Sequence, residues 1–150
     1  MSEATPQPRR SAPELSAYPH RVNEIVRFGD LDSQGHVNNA VFATYFESGR
    51  VGMFRDPTLG IGVPGATFVL VRQEIDYLRE LHWPGNIVVG TALIELGRSS
   101  FKMAQAIFRD GTAVATCRAT LVMMDLAIRR SCPLTPEAIA RLEPWRYRGA

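Results

Sequence analysis

The sequence predicts an α+β fold: one long helix and about five strands. Residues 40–54 form an apolar segment of helical period, the chain turns strand-like at Thr67 and stays so to Asp125, and no second long helical segment interrupts those strands. The later strands are therefore expected to form a largely antiparallel meander with one face on the helix.

Taken in order, residues 1–18 are rich in Pro, Ala, Ser and Glu without apolar periodicity, and they read as a flexible arm. A single domain is expected over residues 19–150. His20 to Phe28 alternates, with Val22, Val26 and Phe28 on one side, the period of a strand. In the helix that follows, Val41, Tyr45 and Met53 share a face, with Phe42 and Phe46 beside them. Gly49 and Gly52 weaken the helix locally, so their presence predicts a close approach of helix to sheet. Arg55-Asp56-Pro57 and Gly60 end it.

Four strands are then expected, at Phe68 to Tyr77, Ile87 to Leu96, Ser99 to Arg109 and Thr112 to Asp125. Trp83-Pro84-Gly85 leads into the second of these, Gly97-Arg98 turns it into the third, and Asp110-Gly111 is a strong hairpin signal into the fourth. A short terminal helix is expected within residues 133–142, with Thr135 as N-cap, Pro136 first in the helix and Glu137 in its first turn. Trp83 and Trp145 read as packing or interface aromatics.

Bulk properties exclude several functions. A formal charge of +2, with basic residues scattered beyond the pairs Arg9-Arg10 and Arg129-Arg130, argues against a nucleic-acid partner. Cys117 and Cys132 lack metal-ligand spacing and read as inert thiols in a reducing compartment, so no metal is expected. No apolar run is long enough to span a membrane and no signal-peptide order opens the chain; a cytoplasmic protein without a membrane partner is expected.

The segment Asp30-Leu31-Asp32-Ser33-Gln34-Gly35-His36-Val37-Asn38-Asn39 carries the chemistry. It places carboxylates, a glycine turn and a helix start within a few residues. A carboxylate can activate water or attack a carbonyl, while backbone N–H groups at a helix N-terminus can hold the oxyanion that results. His36 is a general base by residue type, although a histidine beside a glycine turn more often orders its loop. A salt bridge from Glu47 to Arg50 at i+3 is expected on the helix. At the turn Arg98-Ser99-Ser100, a guanidinium fork and hydroxyls suit phosphate oxygens, and a solvated hairpin is the alternative there. Arg129-Arg130 has the same chemistry with less support.

With Tyr45-Phe46-Glu47 and Arg50, Ile75-Asp76-Tyr77-Leu78, Pro84, Gly97-Arg98-Ser99-Ser100-Phe101, Asp110-Gly111 and Asp125, this segment strongly resembles the 4-hydroxybenzoyl-CoA thioesterase-like branch of the hotdog-fold acyl-CoA thioesterases. The resemblance runs from about Glu24 to Leu142. It implies a curved antiparallel sheet wrapped around one long helix, subunits that pair their sheets as a homodimer or homotetramer, and an acyl-CoA or acyl-carrier-protein thioester bound at the subunit boundary. The family's catalytic aspartate matches Asp32, and its carbonyl-polarising helix amide matches the backbone N–H of Asn39, with Gly35 and His36 completing the motif. Arg98, Ser99 and Ser100 would hold CoA and Tyr45 would shape the acyl pocket, while Glu47 resembles the catalytic helix glutamate of a sister hotdog branch and is the second-choice base. No cofactor beyond the substrate's own CoA is implied.

Asn38 and Asn39 depart from the subgroup whose equivalent pair is aromatic, which sets an aromatic acyl group in doubt. Whether Asp32 attacks the thioester or deprotonates water stays open, since both need one geometry. Two rivals keep the fold: a non-catalytic acyl-CoA-binding module, and an enoyl-CoA hydratase pairing Asp32 with His36.

Overall fold

The computed structural model describes residues 12–149. Strand β1 (His20–Val26) leads through a 3-10 turn (Phe28–Asp30) to helix α1 (Asn39–Arg55). Strands β2 (Ala66–Tyr77), β3 (Gly85–Leu96), β4 (Ser100–Arg109) and β5 (Thr112–Asp125) follow, then a two-residue strand β6 (Arg130–Ser131) and helix α2 (Pro136–Leu142). All pairings in the single sheet are antiparallel, in the order β1-β3-β4-β5-β2, with β6 added to β5. This is the expected α+β architecture, a curled sheet around one long helix.

Helix α1 begins where the Asn38 side chain accepts a hydrogen bond from the Ala40 N–H at 2.9 Å, satisfying one of the helix's orphan donors. Its buried face comprises Phe42, Tyr45, Phe46, Gly49, Arg50 and Met53. Phe46 is fully buried, and removing such a side chain from water stabilises the fold by about 2 kcal/mol. The glycine expectation holds at Gly49, where a Cβ would stand 2.7 Å from Val89 Cγ1. Opposite the helix, Ile87, Val89 and Leu93 of β3, Met103 and Ile107 of β4, and Ala115, Ala119 and Leu121 of β5 complete the core. The short helix is capped as expected, the Thr135 hydroxyl accepting from the Ala138 N–H at 3.1 Å.

Three expectations are corrected. The four later strands do not form one meander: β3, β4 and β5 do, while β2 lies on the far side of β5. The connection after β2 crosses the end of the sheet to reach β3, with the Leu78 and Arg79 N–H groups both donating to the Val114 carbonyl at 2.9 and 3.1 Å. The first strand stops at Val26 rather than Phe28, because the Asp30 carboxylate takes the Arg27 N–H at 2.9 Å and bends the chain into the 3-10 turn. Phe28 is left 70% exposed, edge-on to Trp83.

The third correction concerns the arm. Residues 1–11 lie outside the described residues, but Leu15–Ala17 forms a 3-10 turn and Tyr18 is buried on the outer face of the sheet. Tyr18 packs edge-on against Phe108 and Tyr147 above Ala92, Ala106 and Ala113. Gly90 leaves the room it needs, since a Cβ there would meet the Tyr18 ring at 2.8 Å. Cys117 is buried under α1, and burial pushes its thiol pKa up to about 11, so it stays protonated near neutral pH. No described helix is long and apolar enough to cross a membrane.

Candidate active site

The segment from Asp30 to Asn39 forms a closed loop between β1 and α1. Leu31 and Val37 pair across its base, the Asp32 N–H donates to the His36 carbonyl at 2.9 Å, and the Gly35 N–H donates to the Asp32 carbonyl at 3.1 Å. Gly35 turns the chain at φ +86°, a left-handed conformation that a Cβ would strain. Within this turn the Asp32 carboxylate accepts from the Gln34 N–H through Oδ1 at 2.8 Å, and its Oδ2 stands 3.6 Å from His36 Nδ1. The other ring nitrogen, Nε2, lies 3.1 Å from Gln34 Oε1. The Asp32 and His36 side chains are 24% and 21% exposed, so both meet solvent at the loop surface.

The loop is tied to its surroundings at each end. The Asn38 N–H donates to the Asp30 carbonyl at 2.9 Å, the Val37 N–H to the Leu81 carbonyl at 2.8 Å, and the Tyr77 hydroxyl to the Asn39 carbonyl at 2.9 Å. Between the helix start and the crossing connection lies a cleft of about 250 Å³, lined by His36, Asn39, Phe42, Tyr77, Arg79 and Leu81, among others. The Asn39 N–H, first in the helix, has no acceptor among the described residues, as helix geometry dictates. Asp32 is not itself on the cleft wall; His36 stands between.

Gly35 and His36 thus gather around Asp32, and Asn39 lies with His36 on the cleft wall, while other expected site residues are placed elsewhere. Tyr45 is not among the residues lining this cleft: it is 2% exposed and its hydroxyl donates to Asp30 Oδ2 at 2.6 Å, and burial together with that bond raises its pKa above the ordinary tyrosine range. Glu47 is exposed on α1 and makes no ion pair with Arg50. Instead, Arg50 turns into the sheet, where Nη1 donates to Gln105 Oε1 at 3.0 Å and Gln73 Oε1 at 3.3 Å, and burial lowers its pKa. Gln105 in turn donates through Nε2 to the Phe46 carbonyl at 3.0 Å and Thr91 Oγ1 at 2.9 Å.

Arg98 and Ser99 occupy the turn between β3 and β4, and Ser100 opens β4, at the end of the sheet remote from the Asp32 loop. Along the twelve residues of β3 the two ends are roughly 35 Å apart. Arg129 and Arg130 stand at that same remote end, since the Met123 N–H donates to the Ser99 carbonyl at 3.0 Å and the chain after Asp125 turns back beside it. One protomer therefore does not bring the proposed phosphate ligands to the candidate carboxylate.

Three features escaped sequence reasoning. Tyr77 carried a signal, because Ile75 and Tyr77 alternate onto the inner face of β2, but nothing local marks the partner of its hydroxyl. The Arg50–Gln105 network carried one too, a glutamine at an inward position between Met103 and Ile107. Arg79 and Leu81 could not be foreseen as cleft residues, since they belong to the crossing connection. Among the described residues no group of three His, Cys, Asp or Glu side chains is placed to hold a metal ion.

Comparison with known proteins supplies the family. No curated protein matches the chain by sequence. A thioesterase from Thermus thermophilus, solved with coenzyme A and Zn, is 34% identical, superposes with a TM-score of 0.72, and the match covers 83% of this chain and 98% of that one. The YbaW protein of Escherichia coli is 26% identical with a TM-score of 0.74, over 84% of this chain and 98% of its own. A Pseudomonas aeruginosa protein of 24% identity shares the fold more fully, with a TM-score of 0.81 over 93% of this chain and 99% of that one. The profile of the thioesterase-like superfamily matches residues 26–142, the span from the end of β1 through α2 that holds the whole Asp32 loop, and the chain belongs to that superfamily.

Proposed function

We propose that the protein hydrolyses an acyl-CoA thioester to a free acid and CoA, with Asp32 as the catalytic carboxylate and the Asn39 N–H as the oxyanion donor. The observation that carries this reading is their placement on one closed loop: a solvent-accessible carboxylate three residues before a glycine turn, and an acceptor-free amide at the start of α1. With the thioester oxygen at the Asn39 N–H, the positive end of the helix dipole stabilises charge developing on that oxygen.

Two routes share this geometry. In one, Asp32 attacks the carbonyl carbon, the C–S bond breaks to release the CoA thiolate, and water hydrolyses the mixed anhydride. In the other, Asp32 takes a proton from water as the water oxygen bonds to the carbonyl carbon, and the thiolate leaves from the tetrahedral intermediate. His36, beside the carboxylate, orders the loop and lines the approach to it.

The coenzyme A bound to the Thermus thermophilus relative supports CoA as the leaving group here. The remote position of Arg98, Ser99 and Ser100 is explained by assembly. Among the described residues β2 is an edge strand, paired only with β5, and a free edge favours pairing with another chain. A twofold, antiparallel pairing of β2 with its mate would set the remote end of the partner's sheet beside this chain's Asp32 loop, so a homodimer would complete the site. An acyl-carrier-protein thioester, which ends in the same pantetheine arm, is the alternative substrate.

The test is a panel of acyl-CoA and acyl-carrier thioesters with a free-thiol readout, run on the wild type and Asp32→Asn. One observation favours a second reading: Asp32 Oδ1 is committed to the Gln34 N–H, as in a purely structural turn. Tight acyl-CoA binding without turnover across the panel would select a binding module instead.

A further inference from the structure

We propose that Asp30 and Tyr45 are positioning residues for this reaction, a part-buried phenol–carboxylate tie that holds the Asp32 loop in register with the first amide of α1. The proposal rests on the acyl-CoA reading above and deepens it.

Asp30 is the joint of the whole assembly. Its Oδ2 accepts from the Tyr45 hydroxyl at 2.6 Å and from the Arg27 N–H at 2.9 Å, and its carbonyl accepts from the Asn38 N–H at 2.9 Å. These bonds connect the end of β1, the cap residue of α1 and the second turn of α1. The loop between Asp30 and Asn38 is closed on itself by the Leu31–Val37 pairing and the turn at Gly35. It therefore behaves as one rigid piece, and the Asp30 side chain is what fixes that piece to the body of the helix.

Tyr45 is suited to this role and to little else. Its ring is 2% exposed, edge-on to Phe42, so the ring serves the core whatever its hydroxyl does. A phenylalanine would pack equally well and would not carry a buried hydroxyl that costs stability unless it is bonded. The short, charge-assisted bond to a carboxylate fifteen residues earlier makes the hydroxyl useful. Tyr45 is not on the wall of the cleft at the helix start, so it acts through Asp30 on the placement of the Asp32 carboxylate relative to the Asn39 N–H.

Steady-state kinetics and thermal melting of Tyr45→Phe, Asp30→Asn and the double variant, beside Asp32→Asn, test this. Both substitutions keep side-chain shape, and an asparagine oxygen can still accept from the phenol, so Asp30→Asn is the milder change. Tyr45→Phe is expected to lower kcat by about 10- to 100-fold at unchanged KM and a nearly unchanged melting temperature, the loss that a small misplacement of reacting groups brings. The double variant should be no worse than Tyr45→Phe, since both act through one bond. A Tyr45→Phe enzyme that keeps kcat within about twofold of wild type, or loses only melting temperature, while Asp32→Asn is inactive, overturns the positioning role alone. Full activity in Asp32→Asn overturns the acyl-CoA mechanism and this tie with it.

Discussion

The Tyr77 hydroxyl donates to the Asn39 carbonyl at 2.9 Å, so the last residue of β2 grips the first residue of α1, which lines the cleft. The same ring lies edge-on to Phe42, 5.2 Å between centroids, and forms part of the cleft wall. Tyr77→Phe keeps the ring and removes the bond. Because Tyr77 is half-exposed, stability should fall by no more than about 1 kcal/mol. The larger effect is expected on substrate: a several-fold rise in KM for an acyl-CoA, checked by steady-state kinetics. An unchanged KM would remove Tyr77 from the binding wall.

Asp32→Asn keeps an oxygen for the Gln34 N–H and should preserve the turn, yet hydrolysis of a good acyl-CoA should drop by about 100-fold or more, the scale of a lost catalytic group. Glu47→Gln, on the exposed face of α1, is the comparison. A greater loss in Glu47→Gln than in Asp32→Asn would transfer the catalytic role to the helix carboxylate.

Under the helix, the Arg50 guanidinium is buried with amide oxygens as its partners, and Gln105 is the centre of that arrangement. Gln105→Ala would strip an acceptor from Arg50 and donors from the Phe46 carbonyl and Thr91 Oγ1. Leaving buried groups unpaired costs about 1–3 kcal/mol each, so a total loss on the order of 3 kcal/mol is expected in urea denaturation. Stability equal to wild type would mean that the site rearranges around the gap.

His20 supplies a pH dependence. It is buried on β1, edge-on to Trp145, its Nδ1 has no hydrogen-bond partner, and burial holds its pKa below the ordinary 6.5 although the Asp56 carboxylate opposes the shift. A folded-state pKa below the unfolded one means that the unfolded chain takes up the proton first. The contribution of neutral His20 is therefore intact above about pH 6.5 and is lost as pH falls toward the folded-state pKa. His20→Phe should lose less stability than wild type between pH 7.5 and pH 5.5, roughly the window around an ordinary histidine pKa, in paired urea titrations. Parallel losses in the two proteins would show that His20 does not titrate in this range.

Much of the architecture was legible because its signals are local. The apolar stripe of α1, its start at Asn38-Asn39, the hairpin at Asp110-Gly111 and the capped start of α2 each depend on residues within a few positions of one another. Gly49 was legible for the same reason, as a costly residue in a helix that only a close neighbour explains. The glycine turn and helix start around Asp32 and Asn39 were readable as a unit because eight residues contain them.

Other features depend on which distant segments meet, and residue type does not encode that. Alternation marked β2 as a strand, but the meander expected of the later strands put it beside β3, whereas it pairs with β5 and its chain reaches β3 by the crossing connection over Val114. Tyr45 and Arg50 sit one turn and more apart on α1 with chemistry suited to a pocket and a salt bridge, yet the packed core turned the first to Asp30 and the second to Gln105. Arg98 and Asp32 look like two halves of one site in the chain, while β3 holds them a full strand apart. Short-range hydrogen-bond geometry and side-chain period thus suffice to define the elements and the Asp32 loop. The pairing of strands across the sheet, and the core space left under the helix, alone decide which side chains reach that loop, because those contacts join residues far apart in sequence.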